Sequence, residues 1–262
     1  MVWQLERQGR RSSVIGAAHF FPRHFRPDLE RLIRDARVVV LEGPLDDASA
    51  KKVIDAGKGT GGAAVYEAAK KKINAALGLA AAPFDVHQIL KDLVFGRQAQ
   101  WLEEELRGMK PWAAFFGIWT RYRSRQGWIH SLDLDARRIA QDLGKPIVHL
   151  ETIEEQIAAL DAVPLSRFTR FLAEEDWAEY LKNYERHYSA GELDALVARS
   201  QAFPSYCEPI IEARDPILAE RMMDELDQGG ACVVIGVAHC KGVLANLEKV
   251  SGTFFRPAEK GP

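Results

Sequence analysis

The chain has 262 residues, enough for one large domain or two small ones, and 47% of them are hydrophobic, which suffices for a sizeable core. The charges of its 35 basic and 37 acidic side chains nearly cancel, so the chain lacks the excess of positive charge that is typical of nucleic-acid-binding proteins. We therefore expect no nucleic-acid partner. Cys207, Cys232 and Cys240 form no CxxC pair, and the chain has neither a secretory signal core nor the roughly 20 apolar residues of a membrane-spanning helix. We therefore expect a reduced, soluble, cytoplasmic protein that does not enter a membrane.

The first predicted elements form a strand–helix–strand unit. The apolar segment SSVIGAAH breaks at Gly16 and predicts a buried strand, and Pro27 with Asp28 opens a helix whose apolar residues recur at helical spacing. The next apolar run, ARVVVLEGP, ends at Glu42-Gly43-Pro44 and predicts a second buried strand. Units of this kind build parallel sheets.

Strand signals then disappear from about residue 46 to about residue 130. Stretches rich in alanine, lysine and leucine, such as AAVYEAAKKKINAALG and RQAQWLEEELRGM, predict several helices in an insertion or cap on the sheet. The insertion also holds an aromatic cluster, which we expect to belong to the core, with a ligand-lining role as the alternative. Its members are Trp112, Phe115, Phe116, Trp119 and Trp128.

The remaining elements return to strand–helix alternation. DLDARRIAQDLG predicts a helix, KPIVHLE a short buried strand, and TIEEQIAAL a helix that Thr152 and Glu155 begin with a capping box. ACVVIGVAH predicts the last clear strand, and GVLANLEKVSG predicts a closing helix. No linker divides the chain. We therefore predict one α/β domain over residues 1–262, with a central, mostly parallel sheet flanked by helices and a helical insertion at about 46–130.

Four polar residues follow the predicted strands: His19, Glu42, Glu151 and His239. In open parallel sheets, ligands bind in the crevice beyond the carboxyl ends of the strands. These side chains, far apart in the sequence, can therefore converge on one site.

The two histidines end similar segments, VIGAAH and VIGVAH, and each follows a glycine by three positions. Glycine lets the backbone leave a strand sharply and turn the imidazole towards the sheet edge. The alternative is that the two histidines are unrelated and each is satisfied by a backbone carbonyl. The residues alone leave both interpretations open.

Other polar residues near these strands are assigned structural roles. Asp133 and Asp135 precede a predicted helix, so we expect one of them to cap it, with a role in the site as the alternative. His149 alternates onto the same face as Glu151, and we expect a satisfied core histidine, with a role as supporting partner of the site as the alternative. His24 is expected in an exposed loop.

A cysteine–histidine nucleophile is disfavoured by the sequence. Cys240 follows His239 directly, and neighbouring residues in an extended segment point to opposite sides.

In its motifs and their order the sequence resembles the TraB/GumN family, whose animal relatives include the Tiki proteins. The motifs are GAAH at Gly16–His19, VVVLEGP around Glu42, LETIEEQ at Leu150–Gln156 and GVAH at Gly236–His239. Arg214 in EARDPILAERM matches a further arginine of the family, although Asp215 stands where asparagine is more common. The resemblance extends from Val14 to about Gly252.

This resemblance implies a sheet shared by the two halves, a site built from the GxxH motifs, and metal-dependent peptide hydrolysis as in the Tiki branch. On that basis His19 and His239 would ligate a divalent transition metal, which the donor types leave as manganese, cobalt, zinc or iron. Glu42 is assigned two roles, that of third metal ligand and that of the base that activates water, and Glu151 is assigned a supporting role. The reverse assignment of the two glutamates stays open. Arg214 would stabilise an oxyanion or hold a substrate carboxylate.

The leading functional prediction is a metal-dependent hydrolase that acts on a peptide or small-molecule substrate. A metal-independent esterase with a histidine general base is one alternative. A protein that binds metal, haem or peptide without turnover, as the related ChaN-like group suggests, is another. The sequence leaves the substrate, the metal and the oligomeric state undetermined.

Overall fold

The computed structural model describes residues 1–7, 9–76, 103–251 and 256–257. The end of the predicted helix AAVYEAAKKKINAALG and the first half of RQAQWLEEELRGM lie outside these residues.

A mixed six-stranded sheet forms the centre of the molecule. Its spatial order is β4-β3-β5-β2-β1-β6. β4, β3, β5 and β2 run parallel to one another, whereas β1 is antiparallel to both β2 and β6. The predicted α/β class with a mostly parallel sheet is confirmed. The strands are β1 (Val2–Arg7), β2 (Arg10–Ala17), β3 (Val38–Leu41), β4 (Ile147–His149), β5 (Ala231–Gly236) and β6 (Arg256–Pro257).

The three inner parallel strands are the apolar runs of the sequence. Every residue of β3 and of β5 is buried, as are the last six residues of β2. Strands covered by helices on both faces carry continuous apolar runs instead of an alternating pattern. β2 and β5 lie side by side, with Ile15 opposite Val234 and Ala17 opposite Gly236. The two GxxH segments therefore leave adjacent strands at the same edge of the sheet.

The sheet differs from the sequence prediction in β1, in β4 and in the two-residue β6, which was not predicted. β1 was not predicted, because its polar residues obscured an alternating pattern: Trp3 and Leu5 are buried and Glu6 is exposed, as expected for a strand away from the centre. Gly9, at φ +67°, turns β1 into β2 in a backbone region that favours glycine. β4 was predicted to be buried, but it is an edge strand that is only partly covered.

Helices occupy most of the rest of the described chain. Within the predicted insertion these are α2, α3, residues 103–107 and α4; the boundaries of the insertion as a unit stay a prediction. No helix in the described residues has both the length and the apolar character needed to cross a membrane. The helices are α1 (Arg26–Arg34), α2 (Asp47–Ala56), α3 (Gly62–Ala76), α4 (Pro111–Arg125), α5 (Leu132–Asp142), α6 (Ile153–Asp161), α7 (Leu165–Glu174), α8 (Trp177–Ala190), α9 (Leu193–Ser200), α10 (Asp215–Asp227) and α11 (Val237–Ser251).

Candidate functional site

A cavity of about 550 Å³ opens at the carboxyl ends of β2, β3 and β5. Four residues singled out from the sequence line it: His19, Glu42, Arg214 and His239. Glu151 is not part of the cavity wall; it is buried and contacts Arg214. The structure thus brings together side chains that are more than two hundred residues apart.

His19 presents its imidazole to the cavity just after β2 ends. Its side chain is 63% exposed, so it is accessible to a ligand. Nδ1 lies 2.9 Å from Oδ2 of the buried Asp133. The negative charge of Asp133 raises the pKa of His19 to about 9. His19 therefore has a fixed ring orientation and an enhanced affinity for a proton or another cation at Nε2.

Asp133 does not cap α5, so the prediction for this residue is wrong. Ser131 is the N-cap residue, and its side chain accepts from the backbone N–H of Leu134. Reciprocal backbone hydrogen bonds between Phe21 and His130 join the segment after His19 to the segment before α5. That bridge leaves Asp133, in the first turn of the helix, beside the imidazole.

His239 has an equivalent carboxylate partner. It lies in the first turn of α11, not at the end of an extended strand as predicted, because the strand stops at Gly236 and the helix begins at once. Its Nδ1 lies 2.7 Å from Oδ1 of Asp215, and both side chains are buried. Each GxxH histidine therefore has an aspartate on Nδ1, and its Nε2 remains for other partners.

Gly242, three residues after His239, makes room for the Asp215 carboxylate. A Cβ at Gly242 would lie 1.8 Å from Oδ2 of Asp215. We predict that Gly242→Ala displaces Asp215 from His239 and lowers the free energy of unfolding by about 1–3 kcal/mol, the usual cost of overpacking. Chemical denaturation measures this change.

The matched control for that prediction is Gly117→Ala in α4. A Cβ there would meet only Leu106 Cδ2, at an ordinary 3.7 Å. Because alanine favours the helix over glycine, this variant should be unchanged or more stable by up to about 1 kcal/mol. Equal effects of the two substitutions would contradict the packing role assigned to Gly242.

Glu42 lies between the two histidines, directly after β3. Its Oε1 is 3.7 Å from Nε2 of His239, and its Oε2 accepts from the backbone N–H of Gly236 at 2.8 Å. A Cβ at Gly236 would lie 3.1 Å from Oε2 of Glu42 and 3.2 Å from Nε2 of His19, so both groups approach the same point. Burial opposes ionisation of Glu42, but the electrostatic influence of His239, Arg214 and His19 lowers its pKa to about 2. Glu42 is therefore a carboxylate at neutral pH.

Arg214 holds the two glutamates and contacts His239. Nε donates to Oε1 of Glu151 at 2.9 Å, and Nη2 donates to Oε2 of Glu151 at 2.5 Å and to Oε1 of Glu42 at 2.8 Å. Nη1 lies 3.3 Å from the carbonyl oxygen of Ile210 and 3.3 Å from Nε2 of His239. Four of the five N–H groups of the guanidinium have oxygen acceptors, and the fifth faces Nε2 of His239. Arg214 therefore orders the site, and the oxyanion or substrate role predicted for it would require one of these bonds to be exchanged.

The LETIEEQ block supports this arrangement from the next strand. Glu151 binds Arg214, and Thr152 with Glu155 forms the predicted capping box of α6. Gln156 packs so closely on Gly43 that a Cβ at that position would lie 2.3 Å from Nε2. The block therefore joins the segment after β3 to α6 and the arginine.

The other residues considered from the sequence do not join the site. His149 is exposed at the end of β4, so the prediction of a core histidine is wrong, because β4 is an edge strand. His24 is exposed in a loop, as predicted. Cys240 and His239 are helical neighbours, so the argument from an extended segment is wrong; Cys240 is nonetheless fully buried, and burial raises the pKa of its thiol, which makes it a poor nucleophile.

The predicted aromatic cluster belongs to the core and also lines the cavity. Phe115 is fully buried against Phe168 and Phe171, with ring centroids 5.3 and 5.8 Å apart. Phe116 and Trp119, on the same helix, face the cavity. The lining of the cavity is therefore partly aromatic.

Sequence reasoning missed Asp215 as the partner of His239 and held a site role for Asp133 only as the alternative to helix capping. Asp215 stands beside the arginine of a recognised motif, and Asp133 lies in a helix start, so a search for one acid per GxxH histidine would have found both. It also missed Arg123, which lines the cavity from the last turn of α4.

Comparison with known proteins identifies the family. The model of the TraB/PrgY/gumN family matches residues 1–251, which include both GxxH motifs and the residues around Glu42, Glu151 and Arg214. Neither a curated protein nor a solved structure matches the chain. The chain therefore belongs to the TraB/PrgY/gumN family.

Proposed function

We propose that the chain is a hydrolase that cleaves peptide bonds or related carbonyl compounds in this cavity, with a divalent transition metal held by the GxxH histidines. The observation that carries the proposal is the pair of histidines, each with an aspartate on Nδ1, on either side of Glu42. A carboxylate on Nδ1 keeps the proton there, so the lone pair of a neutral imidazole lies on Nε2. A neutral imidazole oriented in this way can bind a cation or accept a proton through Nε2; His19, with a pKa of about 9, must first release the proton that Nε2 holds at neutral pH.

The donor types fit a divalent transition metal. Histidines that ligate metals usually donate their second ring N–H to a carboxylate or carbonyl, as His19 and His239 do here. Glu42 is the adjacent carboxylate, and an oxygen that accepts one hydrogen bond keeps a second lone pair for an ion. Among the described residues, no three such side chains lie close enough to hold an ion as they stand. Binding therefore requires these groups to move closer together, and His239 to give up its long contact with Arg214.

A bound metal would supply an activated water and polarise the substrate carbonyl. The chain's own residues supply orientation and charge. Asp133 and Asp215 fix the imidazole rings, and Arg214 keeps Glu42 ionised and in place. With a pKa of about 2, Glu42 is a weak proton acceptor, and this low pKa favours the role of metal ligand over that of general base.

Metal retention tests this proposal. Purified protein reloaded with manganese, cobalt, zinc or iron should retain about one ion per chain, as catalytic sites of this donor type do. The double variant His19→Asn/His239→Asn should retain none, whereas His24→Asn, in an exposed loop, should match the wild type. Elemental analysis after gel filtration measures the content. No retention of any of these metals by the wild-type protein would contradict the metal-dependent form of the proposal.

A metal-independent hydrolase is the second candidate. It is supported by the exposed His19, which Asp133 orients in the way that a carboxylate orients the catalytic histidine of other hydrolases. It is also supported by Arg214, which already places a cation beside Glu42. Turnover of a panel of short peptides and esters, followed by mass spectrometry with and without a chelator, separates the two. Hydrolysis that survives the chelator but is lost in His19→Asn supports the second candidate. Ligand binding without turnover across the panel contradicts both.

The predicted cytoplasmic location is part of this proposal. It is supported by Cys207, Cys232 and Cys240, all of which are free thiols.

A further inference from the structure

Arg123 is a cation in the aromatic wall of the cavity. Its guanidinium carbon lies 4.4 Å from the centroid of Phe20, the residue after His19, and 5.7 Å from that of Trp119. The planar group therefore lies against two aromatic rings, in the same cavity that the exposed His19 lines. Its charge acts on His19, whose pKa it lowers against the stronger influence of Asp133.

The hydrogen-bonding capacity of Arg123 is almost unused. In the described part of the chain its side chain makes one long hydrogen bond, 3.4 Å from Nη2 to Thr120 Oγ1, and its Nε is buried without a partner. No carboxylate among the described residues forms an ion pair with it, whereas Arg214 in the same cavity is fully engaged. Burial lowers the pKa of Arg123 to about 10, so it is still charged at neutral pH.

A partly buried cation without a counter-charge is costly, and chains rarely keep one without a purpose. Here the missing partner is a planar anion that approaches from the cavity, since guanidinium forks match carboxylates. Much of the remaining lining, away from the histidines, Glu42 and Arg214, is apolar or aromatic, with Phe116, Trp119, Tyr184 and Phe203 among its residues. A volume of about 550 Å³ accommodates a ligand of roughly dipeptide size.

We infer that the cavity takes substrates that end in a free carboxylate next to an apolar side chain, such as a short peptide with its C-terminus, and that Arg123 binds this carboxylate. The inference deepens the proposed function, on which it rests for the identity of the cavity as the reaction site. Arg123 is in this account a substrate-binding residue and takes no part in bond cleavage.

The test measures binding without turnover, so it can fail or succeed separately from the proposed hydrolysis. Isothermal titration calorimetry compares 3-phenylpropionate with 3-phenylpropionamide, which has the same shape but no charge. On the wild-type protein we expect the acid to bind about tenfold or more tightly than the amide, as a charge-assisted pair should provide. Arg123→Gln should reduce this ratio to near one, and Arg123→Lys should leave an intermediate ratio because lysine lacks the planar fork.

The matched control is Arg125→Gln, which removes the same charge from an exposed position in the last turn of the same helix. It should keep the wild-type ratio. The inference is overturned if the wild type binds acid and amide equally, if it binds neither up to about 10 mM, or if Arg123→Gln and Arg125→Gln have the same effect. The wild-type comparison decides the matter even if Arg123→Gln does not fold.

Discussion

Arg214→Met is expected to lower the free energy of unfolding by about 3–5 kcal/mol, the cost of removing one partner from a buried ion pair. The variant leaves the carboxylates of Glu42 and Glu151 without their cation, and their side chains are only 13% and 3% exposed. Methionine keeps most of the volume of the arginine stem, so the loss reports the unpaired charges and not a cavity. Chemical denaturation at neutral pH measures it.

Arg221→Met, in the helix that begins directly after Arg214, provides the comparison. Arg221 also makes a two-pronged contact, with Glu155, but both side chains are about 40% exposed. Exposed pairs contribute little, so the loss should stay near or below about 1 kcal/mol. Replacing Glu151 by glutamine in the Arg214→Met background should recover part of the stability, because one unpaired charge disappears. Equal losses for the two arginine variants would contradict the structural role given to Arg214.

The parallel sheet could be predicted because a strand that is buried on both faces has an uninterrupted run of apolar residues in the sequence. VVVL and ACVVIG have no internal polar residue to interrupt the run, and both are strands with every residue buried. β1 has no such run, because apolar and polar residues alternate along it. The N-terminus of α11 was misplaced because GVAH follows an apolar run and has no capping residue, so no local signal separates strand from helix there.

The main residues of the site could be predicted from their positions after strands, because parallel strands end at one edge. Their pairing could not be predicted in the same way. Asp133 is 114 positions from His19, and the contact depends on a bridge between Phe21 and His130 that no local pattern indicates. Arg123 was overlooked for a related reason: an arginine late in an amphipathic helix looks like an exposed residue until its aromatic neighbours are known.

The similarity of the two GxxH segments has a structural counterpart. They continue from adjacent parallel strands, and each histidine acquires an aspartate from the start of a helix, Asp133 from α5 and Asp215 from α10. The histidines are nevertheless not equivalent. His19 is largely exposed, whereas His239 is 5% exposed and lies against Arg214. We therefore expect His19 to be the more accessible to substrate, and His239 to act from within the network of Glu42 and Arg214.

The central claim is that these two histidines serve one hydrolytic site, and a double-mutant cycle of activity tests it most directly. His19→Asn and His239→Asn should each reduce kcat/KM, on the substrate found in the peptide and ester panel, by about 10²–10⁴-fold, the usual range for a lost acid–base or ligating group. Asparagine retains a donor for the aspartate partner, so the fold should be preserved.

If both imidazoles act as a unit, the double variant should be no slower than the slower single variant, because removing either group already disables the site. That is the result we predict. Losses that multiply in the double variant, or full activity in either single variant, would show that the two histidines act separately and would contradict the account.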